Sequence, residues 1–118
     1  MYNSKTIEYY NKINYAPLWD QTKDNVITIK VGDLSSGEVI IFQYSKNQGD
    51  LCRYKVLGCG YMIGLVVWLA ETLENEGLLL LKSTLTVSYL CEFFQLPKVK
   101  THCAIRVLDI IEQILVKQ

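Results

Sequence analysis

The chain has 118 residues and a mass of 13.6 kDa, and it is half apolar and one-fifth charged, so an ordered single domain over residues 1–118 is expected rather than a disordered tail. Twelve Lys plus Arg balance twelve Asp plus Glu, which excludes the electrostatic footprint of a general nucleic-acid binder. The longest uncharged stretch, 15 residues over 56–70, falls short of the roughly 20 that span a bilayer, and the polar opening MYNSKTIEYYNK lacks the apolar core of a signal peptide.

A cytoplasmic protein without a membrane segment is therefore expected, with four reduced thiols or metal ligands rather than disulfides. Residues 4–10 read as a short helix, with Ser4 as its cap and Ile7, Tyr10 and Ile13 at helical spacing. Residues 16–25 are polar, contain Pro17 and read as an irregular loop. Three strands follow. VITIKV (26–31) is β-branched; EVIIFQY (38–44) is apolar on both parities, as a central strand would be; LCRYKVL (51–57) alternates, with Cys52, Tyr54 and Val56 opposite Arg53 and Lys55. GDLSSG and KNQGD supply turn residues between them, so an antiparallel meander is the simplest outcome.

The period then changes. YMIGLVVWLAETL (61–73) predicts a nearly all-apolar helix, entered through Gly58-Cys59-Gly60, in which Leu65 and Trp68 belong either to the core or to a partner surface. Residues 88–94 predict a short helix that stops ahead of Pro97. HCAIRVLDIIEQILV (102–116) predicts an amphipathic helix with Ile105, Leu108, Ile111 and Leu115 as its apolar stripe and Arg106, Asp109 and Gln113 on the polar side. Strands followed by helices predict an α+β fold, a three-stranded antiparallel sheet packed with about four helices.

The four cysteines divide. Cys52 lies on the apolar parity of its strand and Cys91 repeats with Val87, Leu90 and Phe94, so both are read as core. Cys59 and Cys103 each open a helix, where unpaired amides and the helix dipole favour a thiolate. Cys103 also follows His102, the one histidine, and lies three residues after Lys100. On this chemistry Cys59, His102 and Cys103 form either a metal or persulfide site, or a polar helix cap beside a coincident thiol. The acidic group Glu71, Glu74 and Glu76 reads as a solvated helix end, and no catalytic triad or phosphate-binding glycine loop is present.

Several segments together resemble the iron–sulfur cluster assembly scaffolds of the IscU and NifU N-terminal type. LPKVKTHC (96–103) is similar to the family's LPPVK-x-HC, Gly58-Cys59-Gly60 to its GCG, VGDLSSGEV (31–39) to its VG-xxx-CGDV, and SKTIEYYNKINY to its N-terminal helix. The resemblance implies a scaffold or carrier rather than an enzyme. It implies a [2Fe–2S] cluster or iron, or zinc in the cluster-free form, held by Cys59, His102, Cys103 and Glu38. Cys103 would accept persulfide sulfur from a cysteine desulfurase. Leu96, Pro97, Lys98, Val99 and Lys100 would dock an Hsp70/Hsp40-type chaperone, and apo iron–sulfur proteins would receive the cluster. Two departures stand out: Ser36 occupies the place of the family's first cysteine, and Glu38 that of its aspartate. A serine hydroxyl is a poorer iron ligand than a thiolate. The alternatives are a degenerate paralogue that binds desulfurase or chaperone without building clusters, and a zinc-binding sulfur-transfer protein.

Overall fold

The computed structural model of the chain describes residues 2–20, 25–46 and 51–117. Its β-branched runs form one antiparallel sheet, ordered β1 (Val26–Asp33), β2 (Glu38–Ser45), β3 (Leu51–Leu57). β2 is central, as its two-sided apolar character predicts. The register pairs Val31 with Ile40 and Ile29 with Phe42, and on the other edge Ile40 with Val56 and Phe42 with Tyr54. Because side chains alternate, one face collects Ile29, Val31, Ile40, Phe42, Tyr44, Cys52 and Tyr54, all buried.

Among the described residues five helices accompany the sheet: α1 (Ser4–Tyr10), α2 (Gly60–Glu76), α3 (Leu78–Thr84), α4 (Val87–Phe93) and α5 (Thr101–Lys117), with short 3-10 turns at Leu34–Ser36 and Lys98–Lys100. The α+β class stands. α2 is buried on nearly every side, from Met62 through Leu65 and Trp68 to Leu73, so the alternative of Leu65 and Trp68 as a partner surface falls to the core. Gly64 lets α1 approach: a Cβ there would lie 3.2 Å from the carbonyl oxygen of Thr6. α3 is an addition to the expected elements, because LLLLKST carries no apolar period to read.

Three local expectations change. Asn3, not Ser4, caps α1, its side-chain oxygen accepting from the Thr6 amide. The buried residue of α1 is Thr6, while Ile7 and Tyr10 are exposed. α5 buries Cys103, Ala104, Val107, Ile110, Ile111 and Ile114, leaving Ile105 exposed and Leu108 only partly covered. Cys103 and Ala104, both small, are fully buried, so the packed face of the helix begins with them rather than with Ile105. Cys91 is half-buried and packs against the core, and Cys52 is buried in it.

The irregular segment before β1 also has a structural job. Gln43 lies on the far face of the sheet yet is fully buried, because Trp19 covers it. Its side-chain oxygen accepts from the Trp19 amide at 2.7 Å and its nitrogen donates to the Trp19 carbonyl at 2.9 Å. The Arg53 guanidinium stacks 4.7 Å from the Trp19 ring. The part of KNQGD at 47–50 lies outside the described residues.

Candidate metal centre

Three chain reversals at one end of the sheet deliver the candidate residues. The first is the β1–β2 turn. Gly32 has φ +81, and a Cβ there would sit 2.2 Å from the Glu38 carbonyl oxygen, so only glycine lets the strands close this tightly. The Asp33 carboxylate accepts from Ser35 Oγ at 2.7 Å and from the Ser36 amide at 2.8 Å; these bonds, the Ser35 hydroxyl first, hold its pKa below the ordinary carboxylate value. Gly37, at φ +75, completes the turn and places Glu38 at the start of β2. The Ser36 hydroxyl is engaged in the turn itself, donating to the Asp33 carbonyl at 2.9 Å.

The second reversal joins β3 to α2. Cys59 is the extended N-cap residue of α2 and makes no side-chain cap bond. The Gly60 amide instead donates to the Tyr2 hydroxyl at 2.9 Å. A Cβ on Gly60 would meet the Tyr2 ring at 2.6 Å, so glycine is required for that ring to lie there. Tyr2, Ile7, Tyr10 and Ile63 then wall a hollow of about 320 Å³ beside Cys59. The third reversal is the 3-10 turn after the extended Pro97, from which α5 starts with His102 and Cys103 in its first turn.

These reversals bring Glu38, His102 and Cys103 together, with one donor atom from each all within 4.8 Å of one another. His102 Nε2 lies 2.8 Å from Glu38 Oε1 and 3.7 Å from Cys103 Sγ, so one ring nitrogen faces both other donors. Cys59 stands outside that trio but interacts with Cys103 and with Lys100. The Lys100 pKa is raised, first by the negative charge of Cys59 and then by a hydrogen bond to it. Four donors of this kind suit a thiophilic cation such as zinc or iron. Glu38 is mostly covered, with its side chain 16% exposed, whereas the His102 side chain is 43% exposed and open to an incoming ligand.

The expectation of a thiolate at the start of α5 is corrected. Cys103 is fully buried, and its pKa is pushed up to about 12, foremost by burial and then by the negative charges of Cys59 and Glu38. Loss of hydration outweighs the helix terminus and Lys100, so the uncomplexed thiol keeps its proton at neutral pH.

Sequence reasoning passed over two residues here. Arg106 reads as part of the polar side of α5, yet its Nε–H donates to Glu38 Oε2 at 3.1 Å, across 68 residues. Tyr2 carries no local signal at all. Only an unusually close glycine such as Gly60 could have suggested a ring packed there. Of the segment expected to dock a chaperone, Leu96 packs against the core, while Pro97, Lys98 and Val99 are exposed and Lys100 turns toward Cys59.

No helix among the described residues is long and apolar enough to cross a membrane. No family model matches the chain. Among curated proteins it is 28% identical to the iron–sulfur cluster assembly scaffold protein IscU of Haemophilus influenzae, over 94% of this chain and 90% of that protein. It is 27% identical to the IscU scaffold of Escherichia coli K12, covering 94% and 88%. It is 29% identical to the mitochondrial iron sulfur cluster assembly protein 1 of Candida glabrata, covering 95% of this chain and 54% of that one. Over nearly its whole length, the chain is a distant homologue of proteins named as iron–sulfur cluster assembly scaffolds in the two bacteria and as an assembly protein in the yeast.

Proposed function

We propose that the chain is a scaffold-type protein of iron–sulfur cluster assembly, with iron and sulfide as cargo between Cys59, His102, Cys103 and Glu38. The observation that carries this reading is the convergence of three donors, Glu38 from one reversal and His102 with Cys103 from another, within 4.8 Å and beside Cys59. Distant homology to proteins bearing that name supports it. A cysteine desulfurase brings sulfur as a persulfide on its own cysteine. Cys103, once deprotonated, attacks the outer sulfur, which transfers to it while the desulfurase leaves as a thiolate. Its proton is released to solvent when the docking desulfurase opens the buried site, and the His102 Nε2–H, which donates to Glu38 Oε1 at 2.8 Å, stands 3.7 Å from the thiolate that forms. Two electrons from a redox protein or a thiol reductant then release that sulfur as sulfide and regenerate the Cys103 thiolate. Leu96, Pro97, Lys98, Val99 and Lys100 present the chaperone-docking segment, and apo iron–sulfur proteins receive the product in the cytoplasm.

One observation favours a second reading. With Ser36 in place of a cysteine the site offers two thiolates where the resembled family offers three, and the Ser36 hydroxyl is bonded to the turn instead. A zinc-holding protein that binds desulfurase or chaperone without building clusters fits that donor set equally. Anaerobic reconstitution with ferrous iron, cysteine and a desulfurase separates the two. Charge-transfer bands in the wild-type visible spectrum support the scaffold reading. Bands that appear only after Ser36→Cys support the second, and none in either chain, beside a conventional scaffold that gives them, rejects cluster assembly.

A further inference from the structure

Arg106 is 29% exposed, on the second turn of α5, and its closest polar partner is a carboxylate that also faces the candidate metal centre. The two oxygens of Glu38 are divided. Oε1 lies 2.8 Å from His102 Nε2, on the side where the donors converge, while Oε2 accepts from Arg106 Nε–H at 3.1 Å. The guanidinium also has a seat: the nearest Arg106 terminal nitrogen would lie 3.4 Å from a Cβ built on Gly32. The arginine thus lies against the same tight strand reversal that Gly32 allows.

Building on the metal-holding reading above, we propose that Arg106 is a positioning residue that makes Glu38 a one-oxygen ligand. A free carboxylate can offer either or both oxygens to a cation. With Oε2 drawn toward Arg106 by a charge-assisted hydrogen bond, Oε1 is the oxygen turned to the other donors. One oxygen, one imidazole nitrogen and two thiolates make four ligands, the tetrahedral number that zinc and iron–sulfur sites take, whereas a two-oxygen carboxylate adds a fifth. The bond also fixes the side chain. Glutamate has one more rotatable bond than aspartate, and a hydrogen bond to its far oxygen removes that freedom. Arg106 therefore sets coordination number and geometry without touching the cation, as outer partners of metal ligands generally do.

The test is anaerobic Co²⁺ titration of wild type, Arg106→Leu, Glu38→Gln and the double variant, read by visible absorption. Co²⁺ gives intense d–d bands in tetrahedral sites and weaker ones at higher coordination number, and its near-ultraviolet thiolate charge-transfer bands report Cys59 and Cys103 separately. Wild type should show intense d–d bands. R106L should keep the thiolate bands, lose d–d intensity and bind roughly 10- to 100-fold more weakly, the usual effect of removing a ligand's outer partner. In the E38Q background the R106L change should have no further effect, because Arg106 acts through Glu38. Unchanged affinity and spectrum in R106L, or an equal loss in the E38Q background, overturns the role of Arg106 alone. A wild type that takes up no Co²⁺ overturns the metal-holding reading and this inference with it.

Discussion

Two carboxylate–cysteine neighbourhoods lie at opposite ends of β3, and they use the same residue types differently. At the start of the strand, Glu74 Oε2 accepts from the Cys52 amide at 2.9 Å, the Cys52 side chain is buried in the core, and Lys12 bridges to Glu71 nearby. There the carboxylate serves backbone and helix, and the cysteine behaves as a small apolar residue. Past the end of the strand, Glu38, His102 and Cys103 point donor atoms at one another within 4.8 Å, with Cys59 adjacent. Composition does not separate the two regions. What separates them is whether donor atoms converge or are consumed by local structure.

That contrast is open to direct attack. The largest effect is expected for Cys103→Ser, which should abolish stable zinc uptake, while Cys52→Ala leaves it intact; metal analysis after gel filtration reads both. Uptake lost equally in the two would erase the distinction. Next comes Gly32→Ala, which puts a methyl 2.2 Å from the Glu38 carbonyl at a left-handed φ. It should cost about 1–3 kcal/mol in urea unfolding and also weaken zinc binding. Wild-type metal affinity in a destabilised G32A would mean that the turn does not position Glu38.

A third expectation concerns alkali. The Cys103 thiol ionises near 9.0 in an exposed setting but is pushed up to about 12 in the fold. Above pH 9.0 the unfolded chain releases this proton first, so the metal-free protein should lose stability as pH rises toward 12. Urea midpoints across that range should fall more steeply for wild type than for Cys103→Ala; parallel curves would contradict the burial argument. The smallest effects belong to the structural pair. Cys52→Ala should cost about 1 kcal/mol as a small core truncation. Glu74→Ala should cost up to about 1 kcal/mol for the lost bond to the Cys52 amide. Denaturation reads both, and neither should alter zinc stoichiometry.

Much of this was legible because local patterns and tertiary demands agree. β3 alternates cleanly, and its two faces emerge as Cys52 and Tyr54 inward, Arg53 and Lys55 outward. The adjacency of His102 and Cys103 at a helix start needed no tertiary information to be noticed. What escaped detection depends on contacts distant in sequence. Arg106 sits among polar residues and gains its meaning from Glu38, 68 residues away. Gln43 reads as a surface residue until Trp19 covers it. Glu74 reads as part of a solvated helix end until the Cys52 amide bonds to it. The α5 stripe was placed on the large side chains of Ile105 and Leu108, whereas packing selected the face carrying Cys103 and Ala104, whose small size a hydrophobicity pattern discounts.

On the proposed reading, Cys59, His102, Cys103 and Glu38 act as one metal-holding unit and Cys52 and Cys91 stand outside it. Native mass spectrometry of the zinc-loaded chain addresses this directly, comparing wild type with single substitutions at each of the six positions. The account predicts one zinc per chain in wild type, Cys52→Ala and Cys91→Ala, and its loss in Cys59→Ser, Cys103→Ser, His102→Ala and Glu38→Gln. A wild type without zinc, or a zinc that survives the Cys59 and Cys103 substitutions, would contradict it.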